Sequence, residues 1–360
     1  MDFETFKDNL AKDVKETIDA MTGKDTTVEI RTVDKMNETY DALTVKPEDS
    51  IIGVNLNATA LYKEFEAGAS YDSIVEKSAD IAVNALENRP EFNIDAFKDY
   101  DRMKDTLAIE VVSAERNAEL LETVPHKNIE DMAVVYRFVL GESAEGTGTI
   151  LVTNQMLDNY GITAEQLHQD AILNAPEIRP VVIQGMGEVL AKQMGVDDLA
   201  MLGLNIPPEQ EQMFVASVEG NVHGAGVIAY QDFMDKASER VGGGSFFILP
   251  SSIHEVLIIP DNGQFDLHSL ENMVREVNAT TVDPTDQLTD NVYHYDAKDK
   301  VFELGEKFVE RQSAKEEKTV DAGEKKSLVA EIKAKKDEVA KAPKKEAPAK
   351  DVKVRGGEAK

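Results

Sequence analysis

Apolar residues near the amino terminus recur every three or four positions, which is the period of an amphipathic helix. These residues are Phe3, Phe6, Leu10, Val14, Ile18 and Met21. Gly23, two residues after Met21, predicts the end of the helix. Three short strand-like runs come next, at Thr27–Val33, Tyr40–Val45 and Ser50–Leu56. The pattern predicts one long helix followed by three strands.

Helical and strand-like patterns then succeed one another along the chain. Helical spacing covers Ala58–Phe65, Tyr71–Leu86 and Ile94–Tyr100, and later Met186–Pro208. A capping box predicts a helix after Thr163, and Asp266 is placed to cap another. The predicted strands are Leu107–Val112, Met132–Leu140, Thr149–Thr153, Met213–Val218 and two hairpins over 245–260 and 293–304.

The strands arrive in hairpin-like pairs, without the steady strand–helix alternation of a doubly wound sheet. The sequence therefore predicts an α+β fold with two lobes of antiparallel strands packed with helices. A Gly- and Ser-rich stretch at Gly141–Gly148 marks the expected joint. We expect lobes over 1–145 and 146–306. We also expect a disordered tail over 307–360, because its Lys/Glu/Ala-rich composition buries too little apolar surface to offset ordering entropy.

The richest candidate for chemistry is the corner of the predicted 245–260 hairpin, where two apolar runs flank a polar segment. The polar side chains of that segment are Ser251, Ser252, His254 and Glu255. A hydroxyl beside an imidazole and a carboxylate could serve a hydrolase. The chain has no Gly-x-Ser-x-Gly elbow, however, and hydroxyl-rich turns commonly satisfy backbone groups. The pattern favours a structural corner with His254 buried on a strand, and hydrolysis is the alternative.

Two further patterns resemble a dinucleotide-binding turn and a zinc site, but neither predicts a bound cofactor or metal. The stretch Gly224–Ala229 fits a dinucleotide-binding turn, but the acidic residue expected about 20 positions later is absent from Gly242–Pro250. Close helix packing explains these glycines better. His254-Glu255 lacks the second imidazole that a zinc helix needs four residues on, and the six histidines are unclustered. With no cysteine in 360 residues, disulfides and cysteine-ligated metals are excluded.

Charge is the strongest deviation in composition. The net charge is −29, but from Arg311 onward fifteen Lys and Arg face ten Asp and Glu, so this segment carries +5 and the body −34. Such a body repels nucleic-acid phosphates and attracts a basic protein partner. Mimicry of DNA would further require ordered rows of carboxylates. We expect a cytoplasmic protein, because neither a signal-peptide pattern nor a membrane span is present.

Several motifs occur in one order over almost the whole predicted body. They are Pro125–Tyr136, Val152–Asn154, Pro250–Val256, Met273–Thr280 and Asp290–Tyr295. As a set they resemble the domain-of-unknown-function family 5688, whose members are expected to be cytoplasmic proteins of anaerobic gut bacteria. The turns at Lys35–Glu38 and Asn55–Ala58 differ from the family's pattern. The resemblance implies no activity, cofactor or catalytic residue.

The function predicted from these observations is that of a non-catalytic acidic interaction or accessory protein. Its features are the anionic body, the basic tail and the lack of a defined catalytic set. The alternative is a hydrolase that uses the Ser251/Ser252–His254–Glu255 corner. The sequence does not determine the oligomeric state.

Overall fold

The structure is a computed structural model that describes residues 1–48, 53–88, 94–143, 146–195 and 211–315. Every strand pair in the described chain is antiparallel, and helices pack on three sheets. The predicted α+β class is therefore confirmed. No helix among the described residues is long and apolar enough to span a bilayer.

The elements are numbered in chain order. The helices are α1 Phe3–Thr22, α2 Ala58–Glu66, α3 Tyr71–Glu87, α4 Ile94–Phe97, α5 Tyr100–Met103, α6 Ala118–Thr123, α7 Asn154–Tyr160, α8 Ala164–Ile178, α9 Met186–Gln193, α10 Phe233–Arg240 and α11 Leu267–Thr280. The strands are β1 Thr26–Lys35, β2 Glu38–Pro47, β3 Val54–Asn57, β4 Leu107–Ser113, β5 Lys127–Ile129, β6 Met132–Ser143, β7 Gly146–Leu151, β8 Val181–Gly185, β9 Phe214–Val218, β10 Phe246–Leu249, β11 Val256–Pro260, β12 Tyr293–Asp296 and β13 Val301–Leu304.

The N-terminal module, defined here as α1 to α3 with β1 to β3, follows the sequence prediction closely. The carboxylate of Asp2 accepts from the Thr5 backbone N–H at 2.9 Å and so caps the start of α1. Gly23 ends the helix in the left-handed conformation, with φ 66°. The apolar stripe of α1 is buried against α3 and the sheet, and it includes Phe6, Leu10, Val14 and Ile18. Local periodicity was sufficient to predict this part.

The main body, defined here as residues 94–305, contains two sheets around one core. The first has the order β4-β6-β5, with β7 paired to β6, and the second has the order β13-β12-β10-β11-β9-β8. The core takes Phe138 from β6 and Phe246 from β10, so it includes residues from both sides of the predicted joint. The joint itself falls in the region of the β6 and β7 hairpin.

The structure differs from the sequence expectations at several places. The run Thr149–Thr153 ends as a strand at Leu151, because the Thr153 hydroxyl accepts from the Met156 backbone N–H and caps α7. Within the expected helix and loop Met186–Pro208, α9 covers the first part and residues 196–210 lie outside the described chain. Residues 305–315 are helical, although the disordered tail was expected from residue 307, and 316–360 lie outside the described residues.

Candidate functional site

The predicted polar corner lies between β10 and β11, which pair as the sequence predicted. The Oγ of Ser252 accepts from the backbone N–H of His254 at 3.0 Å. Ser252 also forms an isolated bridge with Gln287, and the carbonyl of Ser251 accepts from the Leu288 N–H at 3.1 Å. These contacts stabilise the turn and join it to a distant loop, which is a common use of serine in turns.

The imidazole of His254 bonds to neither serine. Its Nδ1 accepts from the backbone N–H of His223 at 3.1 Å, and its Nε2 lies 3.4 Å from Oδ1 of Asp286. Because Nδ1 is the acceptor, the neutral ring carries its proton on Nε2, toward Asp286. The side chain is 33% exposed. The expectation that His254 is buried on a strand is wrong, since β11 begins only at Val256.

Glu255 belongs to a different surface. It lines a groove beside β8 and β9 together with Val182, Val215 and Ser217. Among the described residues, that groove includes neither His254 nor the two predicted serines. The four residues of the predicted corner are therefore neighbours in sequence that do not form one reactive set. A general base would need a free ring nitrogen within reach of the hydroxyl. The acceptor nitrogen of His254 already accepts a hydrogen bond from a backbone amide.

His223, which the sequence analysis left unassigned, lies against this corner. Its backbone adopts the left-handed conformation with φ 55°, and its ring centroid is 5.4 Å from that of His254. Its Nδ1 is buried without a hydrogen bond from any described residue and is 3.9 Å from Oε2 of Glu110. Burial lowers the pKa of His223 below its ordinary value of 6.5, while the Glu110 carboxylate opposes this shift. The ring is therefore neutral near pH 7.

The glycines after His223 allow very close packing. A Cβ on Gly224 would lie 2.5 Å from the His254 carbonyl oxygen, and a Cβ on Gly226 would lie 2.4 Å from the Ile109 carbonyl oxygen. Both distances are too short for any side chain. The segment Gly224–Ala229 forms a 3₁₀ helix. Close packing therefore explains the glycine pattern, as the sequence analysis expected.

A buried ion cluster lies beside His223. Glu110 on β4 is only 1% exposed, and it accepts from Arg137 Nε at 2.6 Å and from Arg179 Nη1 at 3.4 Å. A buried carboxylate needs such partners to offset the loss of water. Sequence reasoning missed this cluster. A signal was available, because Glu110 interrupts the apolar run Leu107–Val112.

Three of the motifs that carried the family resemblance contact the loop over residues 283–292, which also contains the start of a fourth. The Asp131 carboxylate accepts from Thr289 Oγ1 at 2.9 Å, from Asn291 Nδ2 at 3.0 Å and from the Tyr293 hydroxyl. Asn278 Nδ2 donates to the Asp290 carboxylate at 2.6 Å. These motif residues therefore fix one long loop. No group of three or more metal-ligating side chains occurs in the described ranges.

A separate hollow of about 470 Å³ opens between α8, α10 and the two sheets of the main body. It is called the His168 hollow here. Its apolar wall includes Ile172, Ile228, Met234 and Phe302, and its polar lining includes Lys127, His168, Gln231, Asp235 and Lys300. The Tyr136 hydroxyl and His168 Nδ1 are 2.9 Å apart behind this wall. The sequence analysis did not predict this hollow.

Comparison with known proteins gives one match. No curated protein and no solved structure matches the chain. The sequence profile of a family of unknown function matches residues 3–297, which covers nearly all of the N-terminal module and the main body. The resemblance drawn from the motifs is thereby confirmed, and the chain belongs to the family of unknown function DUF5688.

Proposed function

We propose that this protein is a non-catalytic interaction protein whose acidic surface binds a basic protein partner. The observation that carries this proposal is a stripe of carboxylates on α3, formed by Asp72, Glu76 and Asp80. These residues are exposed and four positions apart, so they share one helix face. None of them forms an ion pair with a described residue. We call this group the α3 stripe.

The α3 stripe is unfavourable for the helix that carries it. Like charges at i,i+4 destabilise a helix by about 0.2–0.5 kcal/mol per pair. The neighbouring helix α1 has one such like-charge pair, Glu4 and Asp8, but its i,i+4 pairs Lys12–Glu16 and Lys15–Asp19 join opposite charges. A helix that keeps unpaired carboxylates in register offers a ready set of contacts for lysine and arginine side chains.

The test compares two triple variants of equal net charge. The stripe variant is Asp72→Asn/Glu76→Gln/Asp80→Asn, and the control Glu122→Gln/Asp158→Asn/Glu177→Gln removes three exposed carboxylates elsewhere. Binding to immobilised poly-L-lysine is measured over a range of salt concentrations. We expect the stripe variant to bind roughly tenfold more weakly than the control, since exposed ion pairs contribute about 0.2–1 kcal/mol each.

Equal binding by the two variants would count against a specific role for the α3 stripe, and would leave only a general effect of net charge. A hydrolase built on Ser251 or Ser252 with His254 and Glu255 is the weaker alternative. The distances in the corner do not favour it, because the acceptor nitrogen of His254 is occupied and Glu255 faces another groove.

A further inference from the structure

The His168 hollow holds one positive charge without a partner. Lys127 on β5 is exposed at the lining and forms no ion pair with any described residue. Lys300, in contrast, is paired with Asp235 in the same lining. The lining therefore carries a net charge of +1, in a chain whose residues 1–310 carry −34. Glu165 is outside the lining, but it is near enough to act on His168. An anion that enters the hollow would therefore be attracted locally, although the protein as a whole repels anions.

His168 adds a donor of fixed direction. Tyr136 is buried, and its hydroxyl has no acceptor among the described residues other than His168 Nδ1, at 2.9 Å. A buried tyrosine hydroxyl normally donates a hydrogen bond, so Nδ1 is the acceptor and the ring proton is on Nε2. Burial and the positive charge of Lys127 lower the pKa of His168, while the Glu165 carboxylate opposes this shift. The ring is thus neutral near pH 7, and no described group bonds to its Nε2–H.

The rest of the lining is apolar. Ile228 and Val134 are buried at its base, and Ile172, Met234 and Phe302 are partly exposed around it. Small-molecule sites commonly have volumes of about 300–1,000 Å³, with mostly apolar walls and a few convergent polar groups. The volume of about 470 Å³ lies in this range.

We propose that the His168 hollow binds a small molecule with an apolar body and a single carboxylate. The carboxylate would accept hydrogen bonds from Lys127 Nζ and His168 Nε2–H, and the body would pack against Ile228, Met234 and Phe302. One lysine beside a neutral imidazole matches a monoanion better than a phosphate or another multivalent anion. This inference is independent of the α3 stripe, which belongs to the N-terminal module.

The test is calorimetric titration of the full chain with three ten-carbon probes, each kept below its aggregation threshold. Decanoate carries the carboxylate, decanol is neutral and decylamine is cationic. We expect decanoate to bind one site about tenfold or more tightly than decanol, because a charge-assisted hydrogen bond contributes more than a neutral one. Decylamine should bind more weakly than decanol. Equal affinity for the three probes would overturn the proposal.

Three variants locate the site. Lys127→Met should lower decanoate affinity to that of decanol, whereas Lys63→Met, an exposed lysine on α2, should leave it unchanged. Ala229→Phe places a ring in the hollow and should weaken decanoate and decanol together. Both lysines are exposed, so these two variants should keep the fold, which far-ultraviolet circular dichroism would check. Equal decanoate binding by Lys127→Met and Lys63→Met would refute the assignment of the carboxylate site.

Discussion

The N-terminal module and the main body differ in how deeply they bury ion pairs. The module buries Lys7, but its partners Glu4 and Asp41 stay exposed or part-exposed. In the module, ion pairs such as Lys15–Asp19 and Lys77–Glu64 lie on helix surfaces, and the core is formed by apolar side chains. The main body encloses Glu110 with Arg137 and Arg179 and contains all six histidines of the chain. Both regions also have a substantial apolar core.

This difference shows how far each region depends on contacts between distant residues. The apolar stripe of α1 repeats every three or four residues, and its partners lie within the first 86 residues of the chain. Glu110 and Arg179 are 69 residues apart, and Asp131 and Tyr293 are 162 apart. A polar group that is buried in this way is stable only when its distant partner is in place.

The largest expected effect comes from the buried cluster. Glu110→Gln leaves two guanidinium groups without their carboxylate, and breaking a buried ion pair costs about 3–5 kcal/mol. The matched change in the module is Asp41→Asn, which removes one of the two carboxylate partners of Lys7. It should cost about 1 kcal/mol or less, because Asp41 is part-exposed and Glu4 remains 3.0 Å from Lys7 Nζ. Urea unfolding of the wild type and both variants measures the free energies of unfolding. Similar losses for the two would show that the buried cluster is not a special source of stability.

The second prediction concerns the pH range in which each region loses folding stability. Burial lowers the pKa values of His168 and His223 in the folded chain, so the unfolded chain binds more protons below about pH 6.5. Stability should therefore fall as the pH falls below 6.5. In the module, the hydrogen bond from Lys7 lowers the pKa of Asp41 below 3.8, so that contribution is lost only in stronger acid.

Urea unfolding between pH 7.5 and 4.5 checks this order. His223→Asn, which suits the left-handed backbone, should reduce the loss of stability between pH 6.5 and 5.5. The exposed His268 provides the control, and His268→Asn should leave the pH profile as it is in the wild type. An unchanged profile in His223→Asn would mean that burial of this ring has no energetic effect.

The smallest expected effect is a gain in stability on the surface of the module. Glu76→Lys replaces the two like-charge pairs that Glu76 forms with Asp72 and Asp80 by two opposite-charge pairs. This should stabilise the protein by about 0.5–1 kcal/mol. Thermal unfolding at low salt measures the change, and added salt should reduce it. A loss of stability would indicate that Glu76 has a favourable contact within the fold, and that the α3 stripe does not destabilise the helix.

Sequence reasoning succeeded where the pattern was local and strongly periodic. The helices α1, α3 and α11 and the pairing of β10 with β11 were predicted with small errors at their ends. It missed short elements such as β5 and α6, with three and six residues, because too few positions exist to show a period. His254 was misplaced because the apolar run begins two residues after it, at Val256.

The candidate sites were much harder to predict than the elements. Ser252 and His254 attracted attention because they are neighbours in sequence, yet their link is a backbone hydrogen bond. The His168 hollow joins residues from β5, α8 and β13, and no local pattern connects Lys127 with Phe302. The apolar runs interrupted by Glu110 and by Glu303 were local signals of buried carboxylates.

The sequence by itself determined the α+β class, the anionic body, the family and the elements whose apolar residues recur with a clear period. These properties are sums over residues or local repeats, so they need no knowledge of distant neighbours. The tertiary structure alone decided which nitrogen of His254 is an acceptor, which partners offset the charge of Glu110 and which residues enclose the hollow beside His168. Each of these depends on groups brought together by folding, because hydrogen bonds and desolvation act over a few ångströms in space, whatever the separation along the chain.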